Sequence, residues 1–359
     1  MTNPENHPPG IDLARLRAHL DRAAPRLVAG DLSAEVVAGG KSNLTYVLTD
    51  GWSRWVLRRP PLGHVLATAH DMVREHTVLS ALAPTGVPVP RTVFLCRDRD
   101  VLGVPFYLME YVAGTVYRTP RDTAGLGADR AGAVVHELID VLADIHELDP
   151  ASIGLARFGR PEGFLDRQLD RWKKQLDASR SRELPGADRL HASLSADVPV
   201  SGRGCLLHGD YRLDNVLIGS DGRIAAVLDW EMASLGDPLT DLGLFLVYYS
   251  ALFGPRAVEG SAPTGFPTAE DLIARYARRR AVDLSRLDWY VALACFKLAV
   301  ISEGIHLRYT AGQTVGGGFD QIGQTVVALF ATGLAALSRD ASRAGGPRAA
   351  GLILDEENP

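Results

Sequence analysis

The sequence predicts an α+β chain in two lobes, a small antiparallel β-sheet lobe followed by a larger, mainly helical lobe. Three observations carry this. Residues 32–111 are crowded with short runs of two-residue alternation and tight turns, with a single helical stretch among them. From Ala131 onward, apolar residues recur at helical spacing in stretch after stretch. Into that helical part an apolar hairpin intrudes, Leu206 to Leu228, with polar residues gathered at its ends.

In chain order, residues 1–30 form an N-terminal segment with a helix from Ile11 to Ala23, whose apolar positions are Ile11, Leu13, Leu16 and Leu20. The sheet lobe, 31–113, opens with a strand from Leu32 to Ala38. The turn Gly39-Gly40-Lys41-Ser42-Asn43 follows, then strands from Leu44 to Thr49 and from Trp52 to Arg58, joined by Asp50-Gly51. Strand alternation puts Val56 and Arg58 on one face and Arg59 on the other. A helix from about His70 to Leu82 carries Glu75 near its middle. Pro84 to Pro90 break the chain, and strands follow at Thr92 to Cys96 and Val104 to Tyr111.

The helical lobe, 114–338, begins with a polar link at Thr119 to Asp129. Helices are expected at Ala131–Leu148, Phe164–Ser179 and Ala187–Leu194. After the hairpin come an apolar helix following Gly236-Asp237-Pro238, and helices at about Thr268–Arg280, Leu287–Tyr309 and Phe319–Leu337. The tail, 339–359, is weakly patterned. His136, His146 and Trp172 read as structural residues.

The hairpin holds the chemistry. Its first strand delivers His208-Gly209-Asp210, Asn215 stands five residues beyond Asp210, and its second strand ends on Asp229-Trp230. That spacing matches the H-R-D-x-x-x-x-N loop and the following D-F-G aspartate of protein kinases. The spelling H-G-D-x-x-x-x-N with D-W resembles the aminoglycoside phosphotransferase-like family. With Gly39 to Tyr46 and Leu57-Arg58-Arg59-Pro60-Pro61, it is most similar to the kinase domain found fused to acyl-CoA dehydrogenases and its free-standing bacterial relatives.

The resemblance spans about Leu32 to Leu337 and implies a two-lobed protein-kinase-like fold with ATP and Mg2+ as cofactors. Asp210 would orient or deprotonate an acceptor hydroxyl, and Asn215 and Asp229 would ligate magnesium. Arg212 would stabilise the charge on the transferring phosphoryl group. Arg58 replaces the usual lysine as phosphate clamp and would be held by Glu75; a guanidinium, always charged and bidentate, suits that work. Gly40 and Ser42 would bring backbone and hydroxyl donors to the phosphates. The backbone of Glu110 and Val112 would meet the adenine edge, with Gly114 permitting the change of lobe. Asp237 would cap the helix after it, and Asp241 would brace the catalytic loop.

Composition narrows the classes. With 359 residues, 46% hydrophobic and 23% charged, the chain has ample core for two lobes, and its net charge of -5 disfavours nucleic-acid binding by bulk charge. No apolar run is expected to reach membrane-spanning length uninterrupted, and Met1 to Gly10 lack the pattern of a signal peptide. The 3 cysteines, Cys96, Cys205 and Cys295, read as buried free thiols. The expectation is a cytoplasmic small-molecule kinase with no nucleic-acid or membrane partner.

Competing readings are a metal-dependent hydrolase on His208, Asp210 and Asp229, which lacks a second histidine at ligand spacing, and a catalytically silent nucleotide-binding module. For the acceptor, residues 268–310 offer Glu270, Asp271, Asp283, Asp288 and Glu303 against Arg275, Arg278, Arg279, Arg280, Arg286, Lys297 and Arg308. That basic balance favours an anionic or neutral hydroxyl compound, and the resemblance points to a hydroxyacyl-CoA or hydroxy acid. An aminoglycoside 3'-type O-phosphotransferase is the alternative.

Overall fold

Among the described residues of the computed structural model every strand pairing is antiparallel, and the strands fall into one five-stranded sheet and two two-stranded pairs. The structure describes residues 8–37, 43–62, 71–123, 127–253, 265–313 and 319–344. In chain order, the first elements are α1 (Leu13–Ala23), β1 (Ser33–Val36), β2 (Leu44–Thr49), β3 (Arg54–Arg59), α2 (Met72–Leu82), β4 (Thr92–Cys96), α3 (Arg99–Leu102) and β5 (Phe106–Glu110). Then come α4 (Pro120–Thr123), α5 (Ala128–Glu147), α6 (Phe164–Ser179), α7 (Ala187–Ala196), β6 (Cys205–Leu207), β7 (Val216–Ile218), β8 (Ile224–Val227) and β9 (Ser234–Gly236). The last are α8 (Leu239–Phe253), α9 (Ala269–Arg280), α10 (Leu287–Thr310) and α11 (Ile322–Ala344). The chain divides into two units, 1–116 with 214–233, and 117–213 with 234–359.

In the first unit the sheet order is β1-β2-β3-β5-β4. One face closes over α1, whose Leu16 and Leu20 join Tyr46, Leu48, Leu57, Phe106 and Leu108 in a single core. Asp12 and Asp71 start α1 and α2 by accepting the backbone N–H groups of Arg15 and Arg74. β3 begins at Arg54 rather than Trp52 because Asp50 takes the amides of Trp52 and Ser53 into its turn. The pair β7–β8 belongs to this unit and is joined to it by backbone bonds between Thr115 and Ile218 and from Val227 to the carbonyl of Pro88. Gly114 therefore has a packing role: a Cβ there would lie 3.1 Å from the Ile218 oxygen.

The second unit is built on α10, buried on nearly all sides from Leu287 to Gly304 and packed by α6, α7, α8 and α11. A helix apolar all round is a core helix. Its close seat against α8 depends on Gly243, where a Cβ would meet the backbone of Tyr290 at 2.8 Å. α5 and α9 are riveted by a row of ion pairs. Arg275 grips Asp140 with two hydrogen bonds of 2.8 and 2.7 Å, Arg279 pairs with Asp144 and Arg280 with Glu147. α4 falls within the stretch expected as a polar link, and α11 continues to Ala344, beyond the expected end at Leu337.

All 3 cysteines are buried free thiols. α10 and residues 322–339 of α11 are each apolar and long enough to span a membrane by length and composition, although Lys297 and Glu303 interrupt the first and Gly323 and Gly333 the second. The most apolar window of α10 is 61% buried within the protein, as in a core helix, against 28% for that of α11.

Candidate active site

In the first unit the site is organised by Arg58. It sits on β3 opposite Tyr107 of β5 and is almost wholly buried. Its Nη1 lies 3.1 Å from Glu75 Oε1, and its Nη2 donates to Asp229 Oδ1 at 2.8 Å. Burial opposes the arginine's charge, but Glu75 and Asp229 outweigh it and raise its pKa. Burial likewise lifts the Glu75 carboxyl above its ordinary range, against the pull of Arg58. Arg59 points elsewhere, to the carbonyls of Gly10 and Pro60. The pairing of Arg58 with Glu75 expected from the sequence is seen in the structure.

Asp229 follows β8 in the left-handed region, φ 66° and ψ 57°, rare for a residue with a side chain. The neighbouring Trp230 is buried and anchors the turn, its Nε1 donating to the Val227 carbonyl at 3.1 Å. On the other strand of the hairpin, the Asn215 carbonyl accepts the amide of Leu228 at 2.8 Å. Asn215 and the chain leading into Asp229 are thus tied together. A carboxamide and a carboxylate supply the hard oxygen donors that magnesium takes. Arg58 Nε is a buried donor with no hydrogen-bond partner, as suits a residue awaiting an anionic ligand. The residues present fit both magnesium and a nucleotide phosphate.

Sequence reasoning missed a second tie in this unit. Asn43, just ahead of β2, donates to Glu231 Oε2 at 2.8 Å. It links the residue before β2 to the segment after Asp229. Gly40 and Ser42 lie outside the described residues. Glu110 turns back onto β4: its amide donates to the Arg91 carbonyl and its Oε1 accepts the Arg91 amide. Val112 is half-buried just beyond β5.

In the second unit, β6 delivers His208-Gly209-Asp210 into a loop held on both sides. Asp241, at the start of α8, accepts the amides of His208 at 2.7 Å and Gly209 at 2.9 Å, the bracing role expected for it. Gly209 has φ 82°, and Lys297 of α10 donates to its carbonyl at 2.6 Å. The Asp210 amide donates to His208 Nδ1 at 3.2 Å, so that ring nitrogen is unprotonated. Tyr248 of α8 donates to Asp210 Oδ1 at 2.7 Å, and the Arg212 guanidinium carbon lies 4.4 Å from the centre of the same ring.

Behind the loop, buried His146 accepts or donates at Tyr276 Oη, 2.8 Å away, and lies 3.4 Å from Asp241 Oδ2. Burial lowers the pKa of His146, so it is the neutral ring that meets Asp241. Asp237 caps α8 by accepting the Leu239 amide and also takes the Tyr290 hydroxyl. Tyr248 and Lys297 escaped sequence reasoning. Their signal was a polar group in an apolar helix: Lys297 alone within Val291 to Val300, Tyr248 beside Tyr249 and Ser250 within Leu242 to Leu252.

The antiparallel five-stranded sheet of the first unit and the helices of the second are those of a kinase-like fold. The chain belongs to the APH family, the phosphotransferase enzyme family, whose profile it matches over residues 33–287. It is 36% identical over 338 residues to acyl-CoA dehydrogenase family member 11 of Rattus norvegicus, a match covering 90% of this chain and 43% of that protein. The chain thus spans less than half the length of that relative. Among solved structures, one from Ralstonia eutropha JMP134, provisionally designated an aminoglycoside phosphotransferase, is 30% identical with a TM-score of 0.79, covering 91% of this chain and 98% of that one. A mutant of the aminoglycoside phosphotransferase APH(4)-Ia, in complex with AMP-PNP and hygromycin B, shares the fold at 17% identity and a TM-score of 0.57, covering 89% and 98%.

Proposed function

We propose that the protein transfers the γ-phosphoryl group of ATP, in a Mg2+-dependent reaction, to a hydroxyl of a small anionic molecule, favouring a hydroxyacyl-CoA or related hydroxy acid. The observation that carries the phosphotransfer reading is Arg58 shared between Glu75 and Asp229. That is a fixed cation beside a metal-type carboxylate, on a sheet that belongs to a phosphotransferase family.

When bound, Mg-ATP supplies the phosphoryl group and magnesium neutralises part of its charge. Asn215 and Asp229 hold the metal through oxygen. Arg58, kept charged and in place by Glu75, binds phosphate oxygens. Asp210 accepts the proton of the acceptor hydroxyl or aligns it for attack, and Arg212 offsets charge on the transferring group. Gly40 and Ser42 bring donors to the phosphates, and the Glu110 and Val112 backbone meets the base. A cytoplasmic location, where Mg-ATP is abundant, goes with this chemistry.

The acceptor preference rests on kinship rather than on helical-lobe charge. Arg275, Arg279, Arg280 and Arg286, which gave residues 268–310 their basic balance, are engaged by Asp140, Asp144, Glu147 and Asp197. What supports a thioester or acid acceptor is the 36% identity to an acyl-CoA dehydrogenase family member over 90% of this chain. An aminoglycoside acceptor is the second reading, favoured by the Ralstonia eutropha structure at 30% identity. ADP release compared between 4-hydroxyacyl-CoA, free hydroxy acids and kanamycin-type aminoglycosides decides between them. Turnover of the aminoglycosides with none of the anions would overturn the proposed acceptor class.

A further inference from the structure

Resting on the assignment of Asp210 as the group that handles the acceptor hydroxyl, we infer that Tyr248 is a positioning residue for that carboxylate. Its phenol donates to Asp210 Oδ1 at 2.7 Å and fixes the direction in which the acid faces. The loop backbone is already held without it, by Asp241 on the amides of His208 and Gly209 and by Lys297 on the Gly209 carbonyl. Those bonds fix where Asp210 leaves the chain, whereas Tyr248 acts on its carboxylate directly, from α8.

The same ring serves Arg212, whose guanidinium carbon lies 4.4 Å from its centre. One aromatic side chain therefore touches both loop residues given roles in transfer, the acid through its hydroxyl and the cation through its face. Burial and the Asp210 charge both push the Tyr248 phenol up, so it stays protonated and donates throughout the neutral range. Its own support is rigid. α8 is seated on α10 at Gly243, and the adjacent Tyr249 is turned away, donating to the Pro267 carbonyl at 2.6 Å. Tyr248 and Tyr249 thus carry the same chemical group one residue apart, with only one directed at Asp210.

That difference supplies the test. Mg-ATP turnover with water as acceptor is followed as ADP release by the full chain, alongside its Tyr248→Phe, Tyr249→Phe and Asp210→Asn variants. Tyr248→Phe should lower kcat by about ten- to a hundredfold, the loss of one hydrogen bond to a charged group. KM for ATP and the melting temperature should stay unchanged. Tyr249→Phe should leave kcat unaltered, and Tyr248→Phe should add nothing in an Asp210→Asn background. Asp210→Asn impaired with Tyr248→Phe at native kcat would overturn the role of Tyr248 alone, as would an equal kcat loss in Tyr249→Phe. Full ADP release by Asp210→Asn would overturn the assignment of Asp210 beneath it.

Discussion

Arg58 donates to Asp229 at 2.8 Å across a separation of 171 residues in the chain. The contact ties the cation of β3 to the carboxylate that ends the hairpin, and the same guanidinium also meets Glu75. The groups proposed to bind ligand are thus joined to one another, so removing the cation affects both acids at once.

Arg58→Ala should cut turnover by about 10²–10³, the scale of losing one transition-state electrostatic contact. Arg58→Lys should keep a measurable fraction, since a point charge still reaches one partner. Arg59→Ala, which loses contacts to Gly10 and Pro60 only, should retain turnover. Steady-state ADP release checks all three. Native activity in Arg58→Ala with loss only in Arg59→Ala would show that the other arginine is the clamp.

Buried His146 sets a pH dependence of stability. Its folded pKa is held below the ordinary 6.5 by burial, so the unfolded chain binds a proton more readily than the folded one. Stability from this residue is present above pH 6.5 and is lost as pH falls below it, by up to about 1.4 kcal/mol per pH unit. His146→Gln should flatten the melting temperature profile between neutral pH and pH about 5 relative to the native chain. An unchanged slope would mean that His146 is protonated in the folded state.

The candidate site was readable as a pattern because phosphoryl transfer restricts both residue type and spacing. Asp210, Asn215 and Asp229 stand out as a set, and strand alternation, together with the family resemblance, separates Arg58 from Arg59. The arginines of α9 were misleading for a physical reason: charge counted along one segment ignores the opposing row. Asp140, Asp144 and Glu147 on α5 recur at helical spacing and match Arg275, Arg279 and Arg280, so each charge is answered across the interface. Tyr248 was illegible as a partner of Asp210 because only the fold brings α8 to a loop 38 residues earlier.

Gly243→Ala should destabilise the protein by about 1–3 kcal/mol, the range for overpacking a close contact. The new methyl would lie 2.8 Å from the Tyr290 carbonyl and force α8 off α10. Because α8 carries Tyr248, turnover should fall along with the melting temperature. A native melting temperature would show that the helices can separate at no cost.

The most direct measurement titrates Mg2+ and AMP-PNP by calorimetry into the Asp210→Asn and Asp229→Asn variants and follows ADP release in parallel. Asp210→Asn should bind the nucleotide as the native chain does and transfer nothing, if its carboxylate acts on the acceptor as proposed. Asp229→Asn should lose magnesium-dependent binding, if its carboxylate holds the metal as proposed. Equal loss of binding in both variants, or transfer surviving in Asp210→Asn, would contradict the assignment of one acid to the hydroxyl and the other to magnesium.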